Sequence, residues 1–343
     1  MAKYFDPQLI NGPFDDPGLF IDLVFERRAI LFDIGDLSLL PPRKILRIAH
    51  VFVTHRHMDH FIGFDQLLRC QLGRDKTICI WGPPGLICAI ENKLNAYDWN
   101  LIAGYEGNLR IHASELSLKG ELTSARFCGV NRFAREDLGG AACNEGVLVT
   151  EPGFTVRAAY LEHGIPVLAF ALEERVRLNI CRSRLVAMGL AVGPWLNAFK
   201  EAILAGEDPQ KPIRVLWAHS ESTHAPTLPL GILETQIMKT TRGRKIAYVV
   251  DAAYTQQNAD AIAALARDSD ILYIEAHFLQ EDAEQATARR HLTAAQAGAL
   301  AGRANVKLLR TFHYSPRYRG REIDIVEEAE TAFHGRTRAA ASD

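Results

Sequence analysis

Several things the chain lacks narrow its reading. It has no C-x-x-C pair: its six cysteines (Cys70, Cys79, Cys88, Cys128, Cys143 and Cys181) are scattered over 343 residues and read as free, buried thiols. No apolar run approaches the roughly 18 residues that a membrane span needs. The opening MAKYFDPQLINGPFDD is polar and carries no apolar h-region, so a signal peptide is not expected. Together these point to a reducing cytoplasm and to no membrane partner. Charge of one sign is also missing. The formal net charge is −2, which argues against a broad, sequence-independent nucleic-acid binder while allowing a local basic patch. No repeat, low-complexity tract or interdomain linker is visible.

What is there is a soluble globular chain, 48% hydrophobic and 23% charged, long enough to bury a large core without disulfides. LFIDLVF (19–25) and AILFDIGD (29–36) read as strands joined by the charged turn Glu26-Arg27-Arg28. AHVFVTH (49–55) is a further buried strand, FIGFDQLLRCQL (61–72) has helical periodicity, and TICIWGPPG (77–85) is a strand running into a Gly/Pro turn. Residues 98–150 show short strand-like runs that the pattern does not order. GFTVRAAYLEH (153–163) and PVLAFALEE (166–174) read as strands. Residues 175–244 break the pattern with a run of arginines (Arg175, Arg177, Arg182, Arg184), a helical stretch WLNAFKEAILAG (195–206) and many prolines, which mark an insertion. From IAYVVDAAY (246–254) onward, strands and helices alternate. Strands at both ends with helices between them suggest an α/β (α+β) sandwich of four layers, αββα, in one domain with an arm or lid inserted at about 175–208.

The densest chemistry is T-H-R-H-M-D-H. His55, His57, Asp59 and His60 follow a buried strand in a loop that opens a helix, where imidazoles and a carboxylate can converge on one point. Neutral imidazole and carboxylate are good zinc ligands, and this spacing can serve two adjacent ions. A polar turn with coincidental histidines is the bland alternative, and four such residues in six positions make it a poor one. The H-x-H-x-D-H motif after V-F-V-T resembles the signature of the metallo-β-lactamase superfamily. Three more candidates then stand at strand ends in that superfamily's order: His163 after AAYLE, Asp251 after IAYVV and His313 after VKLLRTF. The resemblance implies that His55, His57 and His163 hold one metal, that Asp59, His60 and His313 hold the other, and that Asp251 bridges them. It also implies a metal-activated water as nucleophile. Two Zn2+ are expected, with Mn2+ or Fe as the alternatives.

Within the superfamily the chain resembles ribonuclease Z, the family that trims precursor tRNA 3′ ends. The resemblance covers roughly 18–322. It rests on FVTHRHMDHFIGFDQLL, TICIWGPPGL, EHGIPVLAFALEE, IEAHFLQEDAEQATARRHLTAAQAG and LLRTFHYSPRY. It implies a proton-handling pair, Glu275 with His291, beside Asp59 as catalytic residues, and phosphate contacts at Ser315 and Arg317. It further implies a homodimer. Departures occur where the family's H-E-A-T reads Ile274-Glu275-Ala276-His277 and where its G-D-T reads Val250-Asp251-Ala252. The segment before Gly193-Pro194 is rich in Arg rather than Gly-Lys. The expected activity is endonucleolytic cleavage of precursor tRNA. The alternatives are a small phosphodiester such as a cyclic nucleotide, an ester or a lactone, or a non-catalytic binding module stabilised by metal.

Overall fold

The computed structural model describes residues 4–24, 26–175, 177–218 and 227–339. Phe25 and residues 219–226 of the proline-rich stretch thus fall outside the described residues. Two β-sheets organise the chain. The first has eight strands in sequence order: β1 (Phe5–Leu9), β2 (Leu19–Leu23), β3 (Arg28–Phe32), β4 (Ile48–Phe52), β5 (Lys76–Gly82), β6 (Leu109–Leu116), β7 (Glu121–Cys128) and β8 (Arg135–Ala142). β3 to β6 run parallel, and antiparallel pairs flank them at both edges. β6 to β8 settle the stretch that the sequence pattern does not order. β1 is not anticipated by that pattern, because FDPQL carries a proline and alternates only weakly.

The second sheet holds β9 (Val147–Thr150), β10 (Phe154–Glu162), β11 (Pro166–Glu174), β16 (Lys245–Val249), β17 (Ile271–Glu275) and β18 (Leu309–Phe312), in the order β18-β17-β16-β11-β10-β9. β16, β17 and β18 are parallel. β11 and β16 are neighbours although residues 175–244 separate them in the chain, so the intervening segment leaves the sheet unbroken.

The sheets meet face to face. Phe32 of β3 stacks on Phe170 of β11 at 5.4 Å and on Tyr248 of β16 at 5.6 Å. These aromatic rings fill the space between the two inner faces, and such pairs add about 0.5–1.5 kcal/mol beyond their area. Outside the first sheet lie helices Phe64–Gln71 and Leu86–Asn95, whose Phe64, Leu67, Leu86 and Ile90 are buried in one apolar cluster with Val51 and Ile80. Outside the second lie Gln256–Leu265, Ala294–Arg303 and Glu322–Ala339, packed into a cluster with Val249, Leu272 and Leu309. The result is the four-layer αββα arrangement. The last of these helices escapes the sequence pattern, because glutamates interrupt the widely spaced residues Ile325, Ala329 and Phe333 that it buries.

The chain divides into two compact units. One comprises residues 1–149, 156–172 and 244–343, and the other comprises 150–155 and 173–243. The second includes residues 175–208, where the sequence marks an arm or lid, and runs on to residue 243. It has two short antiparallel pairs, β12 (Arg177–Ile180) with β15 (Met238–Thr241) and β13 (Pro212–Arg214) with β14 (Thr227–Pro229). Its helices Arg182–Ala187, Trp195–Leu204 and Leu230–Ile237 share a core of Leu185, Leu190, Phe199, Leu233 and Ile237, with Trp195 and Leu196 against it. Among the described residues no helix is long and apolar enough to cross a membrane.

Candidate metal centre

The site forms where strands end. Thr54 and His55 follow β4, His163 follows β10, Asp251 follows β16 and His313 follows β18, while Glu275 closes β17. Three residues just beyond strand ends adopt left-handed backbone: Asp33 (φ 56°), Asp251 (φ 53°) and His313 (φ 58°). For a residue with a Cβ this costs of order 1 kcal/mol or more. The loop carrying His57, Asp59 and His60 is pinned by close backbone packing. A Cβ on Gly63 would lie 2.1 Å from the Gly35 carbonyl oxygen, so only glycine fits there.

Asp251 is the centre of the constellation. Its Oδ2 is 3.2 Å from His55 Nε2, 3.3 Å from His60 Nε2 and 3.7 Å from His163 Nε2. Its Oδ1 is 3.1 Å from His313 Nδ1. Asp59 Oδ2 is 3.3 Å from His60 Nε2 and 3.4 Å from His313 Nε2. Ligand atoms of His55, His57, His163 and Asp251 lie within 4.8 Å of one another, and so do those of Asp59, His60 and His313. All seven residues singled out in the sequence therefore come together, in two adjoining groups.

These groups fit a cation. His55 Nε2, His60 Nε2, His313 Nδ1 and Asp251 Oδ1 are buried and have no hydrogen-bond partner. Four unsatisfied polar atoms converging in one place would be costly unless something bonds them. The field points the same way. Burial works against charge on His60, yet the carboxylates of Asp33 and Asp251 outweigh it and hold its pKa well above the usual value. His313 is likewise pushed up to about 10, against the cost of burial, mainly by Asp251. Burial would raise Asp59, but the hydrogen bond from His313 and the nearby His60 outweigh it and hold the carboxyl far below its ordinary range. The carboxylates draw positive charge into the centre, where a divalent ion would replace the protons.

The outward-facing ring nitrogens are tied down. His60 Nδ1 lies 2.9 Å from Asp33 Oδ2, His55 Nδ1 lies 3.0 Å from Thr54 Oγ1, and His163 Nδ1–H donates to the Arg290 carbonyl at 2.7 Å. Asp33 is fully buried and also accepts from the Thr54 backbone N–H (2.7 Å) and the Tyr248 hydroxyl (3.0 Å). Anchoring one nitrogen fixes ring orientation and leaves the other for the centre. Sequence reasoning does not single out Asp33, Thr54 or Tyr248. A signal for Asp33 does exist: like Asp251, it is an acid that ends a buried strand, in AILFDIGD. Tyr248 offers none, since it reads as an ordinary core aromatic.

Beside the centre, His291 Nδ1–H donates to Glu275 Oε2 at 2.7 Å. The other carboxylate oxygen accepts the Ala252 N–H at 2.6 Å, next to Asp251. Glu275 is fully buried and His291 nearly so. Burial alone would lower the His291 pKa, but the charge and hydrogen bond of Glu275 raise it above the usual value. Ser315 is buried, with its backbone N–H on the His277 carbonyl. The Arg317 guanidinium pairs with Asp282 at 3.2 Å and lies over the Phe278 ring at 5.5 Å, so it is already engaged. In the smaller unit, Arg175, Arg182 and Arg184 are exposed. The side chain of Arg177 lies outside what the structure describes.

Sheet order, layers and strand-end site together define a metallo-β-lactamase-fold protein. Solved structures agree on the fold. Human tRNase Z, short form, matches with a TM-score of 0.50 and 18% identity over 92% of this chain and 93% of that one. The metallo-β-lactamase fold protein YhfI from Bacillus subtilis matches with 0.51 and 15% over 96% and 94%. By sequence the chain is similar to ribonuclease Z. It is 29% identical to that of Deinococcus radiodurans over 297 residues, covering 84% of this chain and 83% of the relative. It is also 29% identical to that of Anoxybacillus flavithermus over 325 residues, covering 91% and 86%. No protein-family profile matches the chain.

Proposed function

We propose that this chain is a metal-dependent phosphodiesterase of the ribonuclease Z type, cutting precursor tRNA at its 3′ end. The observation that carries the reading is the buried Glu275–His291 pair beside a double cluster of histidines and carboxylates. A cluster alone would suit many hydrolases. A histidine held by a buried carboxylate adds an acid for a poor leaving group. His55, His57 and His163 would hold one ion, Asp59, His60 and His313 the other, and Asp251 both. Zinc suits the histidine-rich donor set, with manganese or iron as the alternatives. Bound there, divalent ions supply Lewis acidity, making hydroxide available at neutral pH and neutralising phosphate oxygens.

The chain's own residues then handle protons. As the water oxygen bonds to phosphorus, the P–O3′ bond breaks and its electron pair goes to O3′. His291 gives O3′ a proton, and Glu275 stabilises the imidazolium before that transfer. Asp59, whose side chain is partly exposed, would receive the proton the water loses. Ser315 and Arg317 remain candidate phosphate contacts, with Arg317 exchanging Asp282 for phosphate. The exposed arginines of the smaller unit would hold tRNA by its phosphates. We place the protein in the cytoplasm, on its scattered cysteines, and as a homodimer, as its resemblance implies.

The deciding assay offers pure, metal-analysed protein a precursor tRNA beside bis-p-nitrophenyl phosphate. Cleavage of both, with a single 3′ cut in the tRNA, is expected. Hydrolysis of the nitrophenyl ester without any tRNA cleavage would replace this reading with that of a small-phosphodiester hydrolase.

A further inference from the structure

His277 stands two residues after Glu275, on the loop that follows β17, outside both the seven clustered ligands and the proton-handling pair. Its ring lies flat on that of His291: the centroids are 4.0 Å apart and the planes differ by 10°. Its own orientation is fixed from the neighbouring strand end, because Nδ1–H donates to the His313 carbonyl at 2.9 Å. The same loop is tied again by the Ser315 N–H on the His277 carbonyl at 3.0 Å. The His277 ring is thus neither a solvated surface group nor a member of the apolar core. It is held edge-on by the backbone of one cluster residue and presents its face to the proton-handling histidine.

That arrangement has a mechanical consequence. The Glu275 carboxylate fixes one atom of the His291 ring, and its swing about that bond is then limited only by neighbouring rings, of which His163 is tilted at 59° with centroids 4.7 Å apart and His277 is parallel and closer. A parallel ring at van der Waals distance removes that freedom without competing for the Glu275 hydrogen bond.

We propose that His277 is a positioning residue: by stacking on His291 it holds the imidazole aligned on the leaving oxygen, and it is not itself a metal ligand. The inference rests on the reading of His291 as the acid for the leaving group. It predicts a dependence on leaving group. A sugar 3′-oxygen needs a proton as it departs, whereas p-nitrophenolate departs well without one. Misalignment of His291 should therefore slow the first reaction more than the second.

The test uses zinc-loaded enzyme and compares His277→Ala, His277→Phe and His291→Ala on precursor tRNA in single turnover and on bis-p-nitrophenyl phosphate. Zinc per chain is measured in each variant. For His277→Ala the expected result is unaltered zinc content and a rate on tRNA that falls about tenfold further than the rate on the nitrophenyl ester, in line with the sensitivity of catalysis to small misplacements. His277→Phe keeps a flat ring and should recover most of that difference. Equal loss on both substrates, or failure of Phe to recover more than Ala, would overturn the proposal. So would loss of zinc from His277→Ala, which would make His277 a ligand, as its closeness to Glu275, His291 and His313 permits. If His291→Ala itself shows no dependence on leaving group, the fault lies with the proposed acid. If His291→Ala shows it and His277→Ala does not, the stack alone is refuted.

Discussion

In the larger unit the polar groups that matter are buried and gathered close to one another. Asp33, His55, His60, Asp251 and Glu275 are all nearly inaccessible, and each carboxylate has named partners. In the smaller unit the core is an apolar cluster around Phe199 and Leu233, and Arg175, Arg182 and Arg184 lie in solvent. The contrast separates two physical tasks. Reacting groups must be held in a low-dielectric setting, where direction and charge count for much. Attraction of a polyanion needs solvated cations, whose effect is long-ranged and weakened by salt.

Four variants would sharpen or break that contrast. The largest effect is expected from Asp251→Asn, which touches both clusters. Zinc should be lost and hydrolysis of every phosphodiester should fall by about 10³-fold or more, since several kcal/mol of charge stabilisation go with the metal. Retention of full zinc and activity would remove Asp251 from the centre. Next comes His291→Ala. Zinc should remain while single-turnover cleavage of tRNA falls about 10²–10⁴-fold, the range for general acid catalysis.

A smaller effect is expected from Asp33→Asn, which weakens the anchor of His60 without touching the centre directly. Zinc affinity, measured by competition with a chelator, should drop about 10–100-fold. An unchanged affinity would mean that the His60 ring is oriented by packing alone. The smallest effect belongs to the other unit. Replacing Arg175, Arg182 and Arg184 together with alanine should weaken tRNA binding and flatten its salt dependence, by about one unit of logarithmic slope per arginine that neutralises a phosphate. Hydrolysis of bis-p-nitrophenyl phosphate should stay within about twofold. If it falls with tRNA binding, the two units do not divide the work as proposed.

Legibility in the sequence depends on distance along the chain. The T-H-R-H-M-D-H loop can be read directly because four of its donors lie within six residues. His163, Asp251 and His313 each close a strand-like run, and it is their joint match to the superfamily's order that singles them out. The run from β6 to β8 cannot be ordered: LRIHASEL alternates over its first six residues, but REDLGGAA carries no alternation and β8 is exposed along its whole length. Tyr248 and Asp33 are 215 residues apart, and no local pattern announces their bond.

By itself, then, the sequence determined most strands and helices outside 98–150 and the candidate donors of the T-H-R-H-M-D-H loop. These follow from hydrophobic period and residue chemistry, which are local properties. Tertiary structure alone decided which nitrogen of each histidine faces the centre, that Asp33 braces His60, and that the His277 ring lies flat on His291. Those outcomes depend on backbone turns at the ends of separate strands being brought to one sheet edge, and on the rings filling the space left there. Packing sets that geometry only when the whole sandwich has closed.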